Sequence, residues 1–211
     1  MKKTTLFCLG FVFILLACDT DGYEPNQPAD TNSTTADNNL QTKAVATDLS
    51  FITQQLTDSY LMLVDDTDST LAQKIMLLDS VSLSVPSFTA IKPQGFALPT
   101  TTEAGVFLTA YVDSYSNLNL SSAMISYLDE LLQTEDVDYI GLIDTIQADL
   151  VLTSQEKIQL HFIVTYLSDN TGGPIIDGSW KKKNIIAAIK GFEKSSANAV
   201  FNVALVKITQ Q

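Results

Sequence analysis

The chain has 211 residues, of which 24 are acidic and 12 are lysine, with no arginine, and its formal net charge is −12. A strongly acidic, arginine-free chain is a poor match for nucleic acid, whose phosphates demand cationic contacts. We therefore expect no nucleic-acid partner.

The first 18 residues carry an export pattern. Lys2 and Lys3 precede an almost wholly apolar run from 6 to 16, which is the charged-then-apolar order of a secretory signal. The run is too short to cross a bilayer as a helix, which needs about 20 residues. It ends in Leu-Leu-Ala-Cys18, and this ending resembles the lipobox of bacterial lipoproteins, where a peptidase cuts before a lipidated cysteine.

The lipobox resemblance covers residues 1–18 only and implies three things. Residues 1–17 would be removed as a signal peptide, Cys18 would carry a diacylglycerol, and the chain would be anchored in a Gram-negative cell envelope, at the outer membrane, facing the periplasm or the outside. Loss of two lysines would change the net charge from −12 to −14. The alternative is an ordinary signal in which Cys18 has no special role.

A polar segment follows Cys18. Residues 19–43 are rich in Asp, Thr, Asn, Gln and Pro, and such a composition cannot offset the entropy of ordering. We therefore predict a lipidated Cys18 and a flexible tether over 18–43, then a single domain over 44–211. A domain of that length buries about 70% of its unfolded surface without disulfides.

Apolar residues recur at steps of three and four through the domain, which predicts a mainly α fold of six or seven amphipathic helices. The clearest helix spans 44–65, and a second follows from 71 to 78. Alternation of valine and leucine with serine over 81–85 has the period of two typical of a short strand, so we also expect a small β element there. The proline-rich stretch 86–99 predicts an irregular connection.

Capping patterns predict where later helices begin. They are Thr100 with Glu103, Thr153 with Glu156, and Ser121 alone. Apolar residues over 137–146 predict a further short helix. The last helix is expected to begin near Trp180 and to run past Gly191.

The start of that last helix is the most distinctive stretch of the domain. Residues 179–211 carry a net charge of +5, whereas residues 18–178 carry −19. The apolar face of this basic helix has three interpretations: it lies on an anionic membrane, it binds an envelope protein, or it packs in the core while the lysines meet the acidic remainder. The candidate membrane or partner face consists of Trp180, Lys182, Lys183, Ile185, Ile189 and Phe192.

Catalytic patterns are missing from the sequence. The single histidine, His161, stands in an apolar stretch and lacks the nucleophile and orienting acid of a triad, so we predict a structural role for it. The acidic clusters match neither an EF-hand nor a zinc pattern. We predict no catalytic residue, no metal and no cofactor. A non-enzymatic, lipid-anchored interaction or structural protein is the leading hypothesis, and a carboxylate-dependent envelope hydrolase or a membrane-acting C-terminal helix are the alternatives.

Three short triplets raise the question of modification. Each has the form Asp-Ser/Thr followed by a third residue, and they resemble the Asp-Ser/Thr-aliphatic O-glycosylation signal of exported proteins in some Gram-negative lineages. The resemblance implies glycan attachment at Ser69, Ser80 and Thr145.

Overall fold

The computed structural model describes most of the region from 49 onward. The described residues are 49–65, 68–109, 118–134, 136–170 and 178–210. Within them every regular element is a helix and there is no strand, which confirms a mainly α, single helical domain. The predictions for the signal peptide, for Cys18, for the tether and for a helix start at 44 lie outside the described residues.

Nine helical segments occur in the described residues, more than the six or seven expected. In chain order they are residues 49–63 (α1), Leu71–Ser82 (α2), Pro86–Ile91 (α3), Thr101–Leu108 (α4), Ser122–Gln133 (α5), Tyr139–Ala148 (α6), Ser154–Asp169 (α7), Gly178–Phe192 (α8) and Ser196–Thr209 (α9). Two differences account for the larger number. The stretch expected to be irregular contains α3, and the region from Trp180 onward forms two helices instead of one.

The predicted caps are confirmed. Both capping boxes are complete: the threonine hydroxyl accepts from the backbone N–H of the glutamate three residues on, and that glutamate accepts from the threonine N–H. The Ser121 hydroxyl accepts from Met124 N at 3.1 Å. A third box, Thr70 with Gln73, begins α2. These local bonds satisfy backbone donors that a helix start leaves without partners.

The predicted β element at 81–85 is wrong. Val81 lies in α2, Leu83 caps the end of that helix in the αR conformation, and Val85 is the N-cap of α3. Val81 and Val85 are both buried, whereas Leu83 between them is 68% exposed. The two valines therefore face the core from either side of a turn between two helices, and the alternation in sequence does not mark a strand. Pro86 then begins α3, because proline is well suited to the first helical position.

The pair α8 and α9 forms the centre of the domain. Three residues join them, and the N–H of Ser195 donates to Gly191 O at 3.0 Å. Asn202 Nδ2 reaches Ala187 O at 3.3 Å, which fits an antiparallel hairpin. Residues 197–206 of α9 are all buried, so this helix is surrounded on every side. A helix without a polar face has no amphipathic period, so apolar spacing alone does not mark α9 as a helix separate from α8.

Gly191 sets how closely the two helices approach. A Cβ built at this position would overlap backbone atoms of Ala199 and Asn198. The side chains that pack around the crossing include Ala197, Ala199 and Ala188, all buried. Small residues at a crossing allow backbones to come close, and the hairpin therefore depends on glycine at 191.

Candidate functional site

The apolar face of the basic helix lies in the core. Ile185 is 0% exposed and Ile189 is 3% exposed. Trp180 is partly buried and stacks on Tyr166 with ring centroids 6.3 Å apart. Phe192 is also partly buried. A membrane or partner surface must reach solvent, so both of those interpretations are wrong for the isoleucines, and core packing is the interpretation that the structure confirms.

Several lysine ammonium groups donate hydrogen bonds to backbone carbonyls near the C-terminal ends of helices. Lys181, which the candidate face omitted, is buried, and its Nζ donates to Thr134 O at 3.1 Å at the end of α5. Lys157 Nζ donates to Gln147 O at 2.7 Å near the end of α6, and Lys74 Nζ to Ile208 O at 3.5 Å in α9. An ammonium group at a helix C-terminus satisfies a free carbonyl and complements the helix dipole. Lys182 and Lys183 are half-buried on α8.

The opposite charge is concentrated on another part of the domain. Residues 121–156, which include α5 and α6, contain eight acidic side chains and no lysine. In the described part of this stretch, most of the acidic side chains are exposed. We call this stretch the acidic face. Its long-range field favours cationic partners and disfavours anionic ones.

An exposed apolar pair stands within the acidic face, between α6 and α7. Leu150 is 91% exposed and Val151 is 78% exposed, and Leu150 is the most exposed large apolar side chain in the described residues. The next residue, Leu152, is buried and fixes the loop to the core. We call Leu150 and Val151 the apolar tip.

The side chain of Asp149 organises the backbone of the apolar tip. Its Oδ1 accepts from Val151 N at 2.6 Å and from Leu152 N at 3.1 Å, and its Oδ2 accepts from the hydroxyl of Tyr127 at 2.9 Å. These three bonds lower the pKa of the Asp149 carboxyl, so it is ionised at neutral pH. Burial, followed by the bond to Asp149, raises the pKa of Tyr127 to about 12. Three charge-assisted bonds hold the loop in one conformation.

Two acidic side chains of the described residues, Glu103 and Asp149, have lowered pKa values. A general acid needs a raised pKa, but the hydrogen bond from Lys194, with the bond from the Thr100 N–H, lowers the pKa of Glu103 to about 2. That of Asp149 is lowered as well. His161 is buried, with its Nδ1 3.3 Å from Gln147 Nε2. Within the described ranges, no group of three or more His, Cys, Asp and Glu side chains could hold a metal ion.

The three candidate glycosylation sites differ in setting. Ser69 precedes α2 and is half-buried. Ser80 and Thr145 are exposed within α2 and α6, and each hydroxyl donates to the carbonyl four residues earlier, at 3.0 Å and 2.8 Å. Glycosylation at these positions stays a prediction.

The apolar tip and its support were not among the predicted site residues. The sequence signal was present, since Asp149 stands two residues before Val151 and can accept from that N–H as in an Asx turn. The exposure of Leu150 could not be predicted, because Leu150, Val151 and Leu152 look alike in sequence and only Leu152 is buried.

Comparisons with known proteins found no matching family model, no similar curated protein and no similar solved structure. In the part of the chain that the structure describes, no helix combines the length and the apolar character needed to cross a membrane.

Proposed function

We propose that this chain is a lipid-anchored protein of a Gram-negative cell envelope, attached to the outer membrane through Cys18, whose helical domain is a non-enzymatic interaction module. The anchoring part rests on the lipobox-like sequence that ends at Cys18. The binding part rests on one observation, the rigid apolar tip at Leu150 and Val151 on the acidic face.

The apolar tip has the properties of a binding anchor. Burying a Leu or Val side chain is favourable by about 1.5–3 kcal/mol compared with leaving it in water, and the domain leaves two adjacent ones exposed. Because Asp149 already fixes the backbone at Val151 and Leu152, binding here would need little further ordering. A contact whose backbone is already ordered loses less conformational entropy on binding, which favours affinity.

The charge of the acidic face supports a protein partner whose apolar socket is bordered by lysine or arginine. Anionic lipid headgroups would be repelled by the eight acidic side chains of the acidic face, an effect that extends over about 10 Å at moderate salt. A basic rim would instead accelerate encounter and favour the correct orientation. The apolar tip would fill the socket while the surrounding acids meet the rim.

Photo-crosslinking in the native host tests the binding role. A photoreactive residue in place of Leu150 is expected to give a protein adduct in the membrane fraction, and Val151→Asp is expected to reduce that adduct at least about ten-fold. Neither the photoreactive residue at 150 nor Val151→Asp should change the free energy of unfolding by more than about 0.5 kcal/mol, because both positions are exposed. High salt should weaken the adduct, since the acidic face contributes.

Ile140 provides the matched control. It is also apolar and exposed, at 77%, but lies near the start of α6 and outside the apolar tip. The same photoreactive residue at 140 should give no such adduct. An adduct equally strong from both positions, or crosslinking at 150 only to lipid, would contradict the proposed protein partner.

A further inference from the structure

One side of α1 leaves large apolar side chains in solvent. Phe51, near the start of the helix, is 60% exposed, and Leu61, Met62 and Leu63 at its end are 40%, 83% and 67% exposed. Phe51 and Met62 stand eleven residues apart, which is close to three helical turns, so they lie on the same side of α1, about 16 Å from each other. Leu61 and Leu63 flank Met62. We call these four residues the α1 strip.

The α1 strip lies on a helix that carries almost no charge. Over residues 49–63 the only charged side chain is Asp58, and its Oδ1 accepts from Gln54 Nε2 at 2.8 Å. Lys207 of α9 attracts Asp58 electrostatically, and its Nζ donates to Gln54 Oε1 at 3.1 Å. The two charges beside the strip therefore offset each other, and binding through this side of α1 depends on burial of apolar surface.

The length of α7 separates the α1 strip from the apolar tip. The apolar tip stands just before the start of α7, whereas the hydroxyl of Ser50, next to Phe51, donates to Asp169 Oδ2 at 2.7 Å at the last residue of α7. This helix has 16 residues and is therefore about 24 Å long. That distance is more than twice the screening length of about 10 Å at 0.1 M salt. The acidic side chains around the apolar tip therefore have little influence at the start of α1.

We propose that the α1 strip lies on the surface of a phospholipid bilayer. This inference rests on the proposed lipid anchor at Cys18. Residues 19–48 join that anchor to α1, and a coil of this length has a root-mean-square span of about 30 Å. The first described helix after the anchor is thus the one that carries the strip. Because the charges beside the strip offset each other, contact suits zwitterionic headgroups and requires no anionic lipid.

The α1 strip assists the anchor and does not replace it. Even a myristoyl chain alone gives only marginal and reversible membrane binding, so we expect weak binding by the strip alone. The anchor strengthens this contact because it raises the local concentration of lipid around the domain. Removal of the anchor therefore still releases the domain from the membrane.

Photo-crosslinking at position 62 in the native host tests the inference. A photoreactive residue in place of Met62 should give a phospholipid adduct, detected as added lipid mass on the peptide that contains position 62. Ile140 is the matched control, because it is 77% exposed on α6 and lies outside the α1 strip. The same photoreactive residue at 140 should give at least about ten-fold less lipid adduct. Equal lipid adducts from both positions, or a protein adduct at 62, would overturn the inference.

The intact mass of the same sample separates this inference from the lipid anchor. A lipidated Cys18 without a lipid adduct at 62 would refute the contact of α1 and leave the anchor standing. If Cys18 is unmodified, the full chain with Cys8→Ser keeps one thiol, which is coupled to a maleimide lipid in phosphatidylcholine vesicles. The lipid adduct at 62 should form on these vesicles, and its absence there would likewise refute the contact.

Phe51→Asp tests whether the α1 strip acts as a unit. Phe51 is exposed, so we expect an unchanged helical circular dichroism signal. An aspartate at the bilayer surface would have to lose water, and the lipid adduct at 62 should fall at least about three-fold. Ile140→Asp makes the same change outside the strip and should leave the adduct as it is. An unchanged adduct in Phe51→Asp would show that the strip does not lie on lipid.

Discussion

Ile185→Asp is expected to leave the chain unfolded at 25 °C. Ile185 is fully buried on α8, so the change removes an aliphatic side chain from the core, at a cost of about 2–5 kcal/mol, and places a carboxylate where there is no water. Together these effects approach the whole stability of an ordinary domain, about 5–15 kcal/mol. Loss of the helical circular dichroism signal and of a cooperative thermal transition would verify the result.

This variant separates core packing from the earlier membrane interpretation. If the face of Ile185 lay on a membrane, the aspartate would abolish liposome binding and leave the fold intact. Ile140→Asp is the control, because Ile140 is 77% exposed and the same change there should shift stability by less than about 0.5 kcal/mol. A folded Ile185→Asp protein with a normal thermal transition would contradict the buried position of α8.

Gly191→Ala is expected to lower the free energy of unfolding by about 3 kcal/mol. One added methyl group would overlap the backbone of Ala199 and Asn198, and backbone cannot rotate out of the way as a side chain can. The hairpin of α8 and α9 would have to separate at its closest point. Chemical denaturation, compared with the unaltered chain, measures the loss.

Gly105→Ala is the matched control for the glycine change. Gly105 lies inside α4, and a Cβ there would meet no atom within 4 Å. Alanine is the better helix former, so this variant should gain about 0.5–1 kcal/mol. The two glycines should therefore respond in opposite directions, and a neutral or stabilising Gly191→Ala would show that the helices do not cross at this distance.

The parts of the fold that depend on local chemistry could be predicted from the sequence. Thr100 and Thr153 begin helices because each bonds within its own first turn, and this requires no knowledge of the rest of the domain. The interior of α5 follows from local spacing in the same way, because Met124, Leu128 and Leu131 recur at steps of three and four and are all buried.

The parts that depend on tertiary packing could not be predicted. α9 has no polar face because it is surrounded. The apolar face of α8 was compatible with core, membrane or partner contact, and the fold places its isoleucines in the core. The apolar residues over 137–146 predicted α6, but not which of them it buries: Leu142 and Ile146 are buried, whereas Ile140 is 77% exposed.

The contacts at the candidate sites also depend on tertiary packing, because they join residues that lie far apart in the sequence. Lys181, which the candidate face omitted, reaches the end of α5, 47 residues earlier in the chain, at Thr134 O. The ion pair of Lys194 with Glu103 joins residues that are 91 positions apart. Contacts over such separations leave no local pattern, so only the fold brings these groups together.

Intact mass spectrometry of the protein extracted from the membranes of its native host tests the central claim most directly. We predict that the chain begins at Cys18 and carries the added mass of a diacylglycerol on its sulfur and a third acyl chain on its amine. Replacing Cys18 by alanine should abolish this mass and release the domain from the membrane fraction. A chain that retains residues 1–17, or one cut elsewhere with an unmodified Cys18 thiol, would contradict lipid anchoring at this residue.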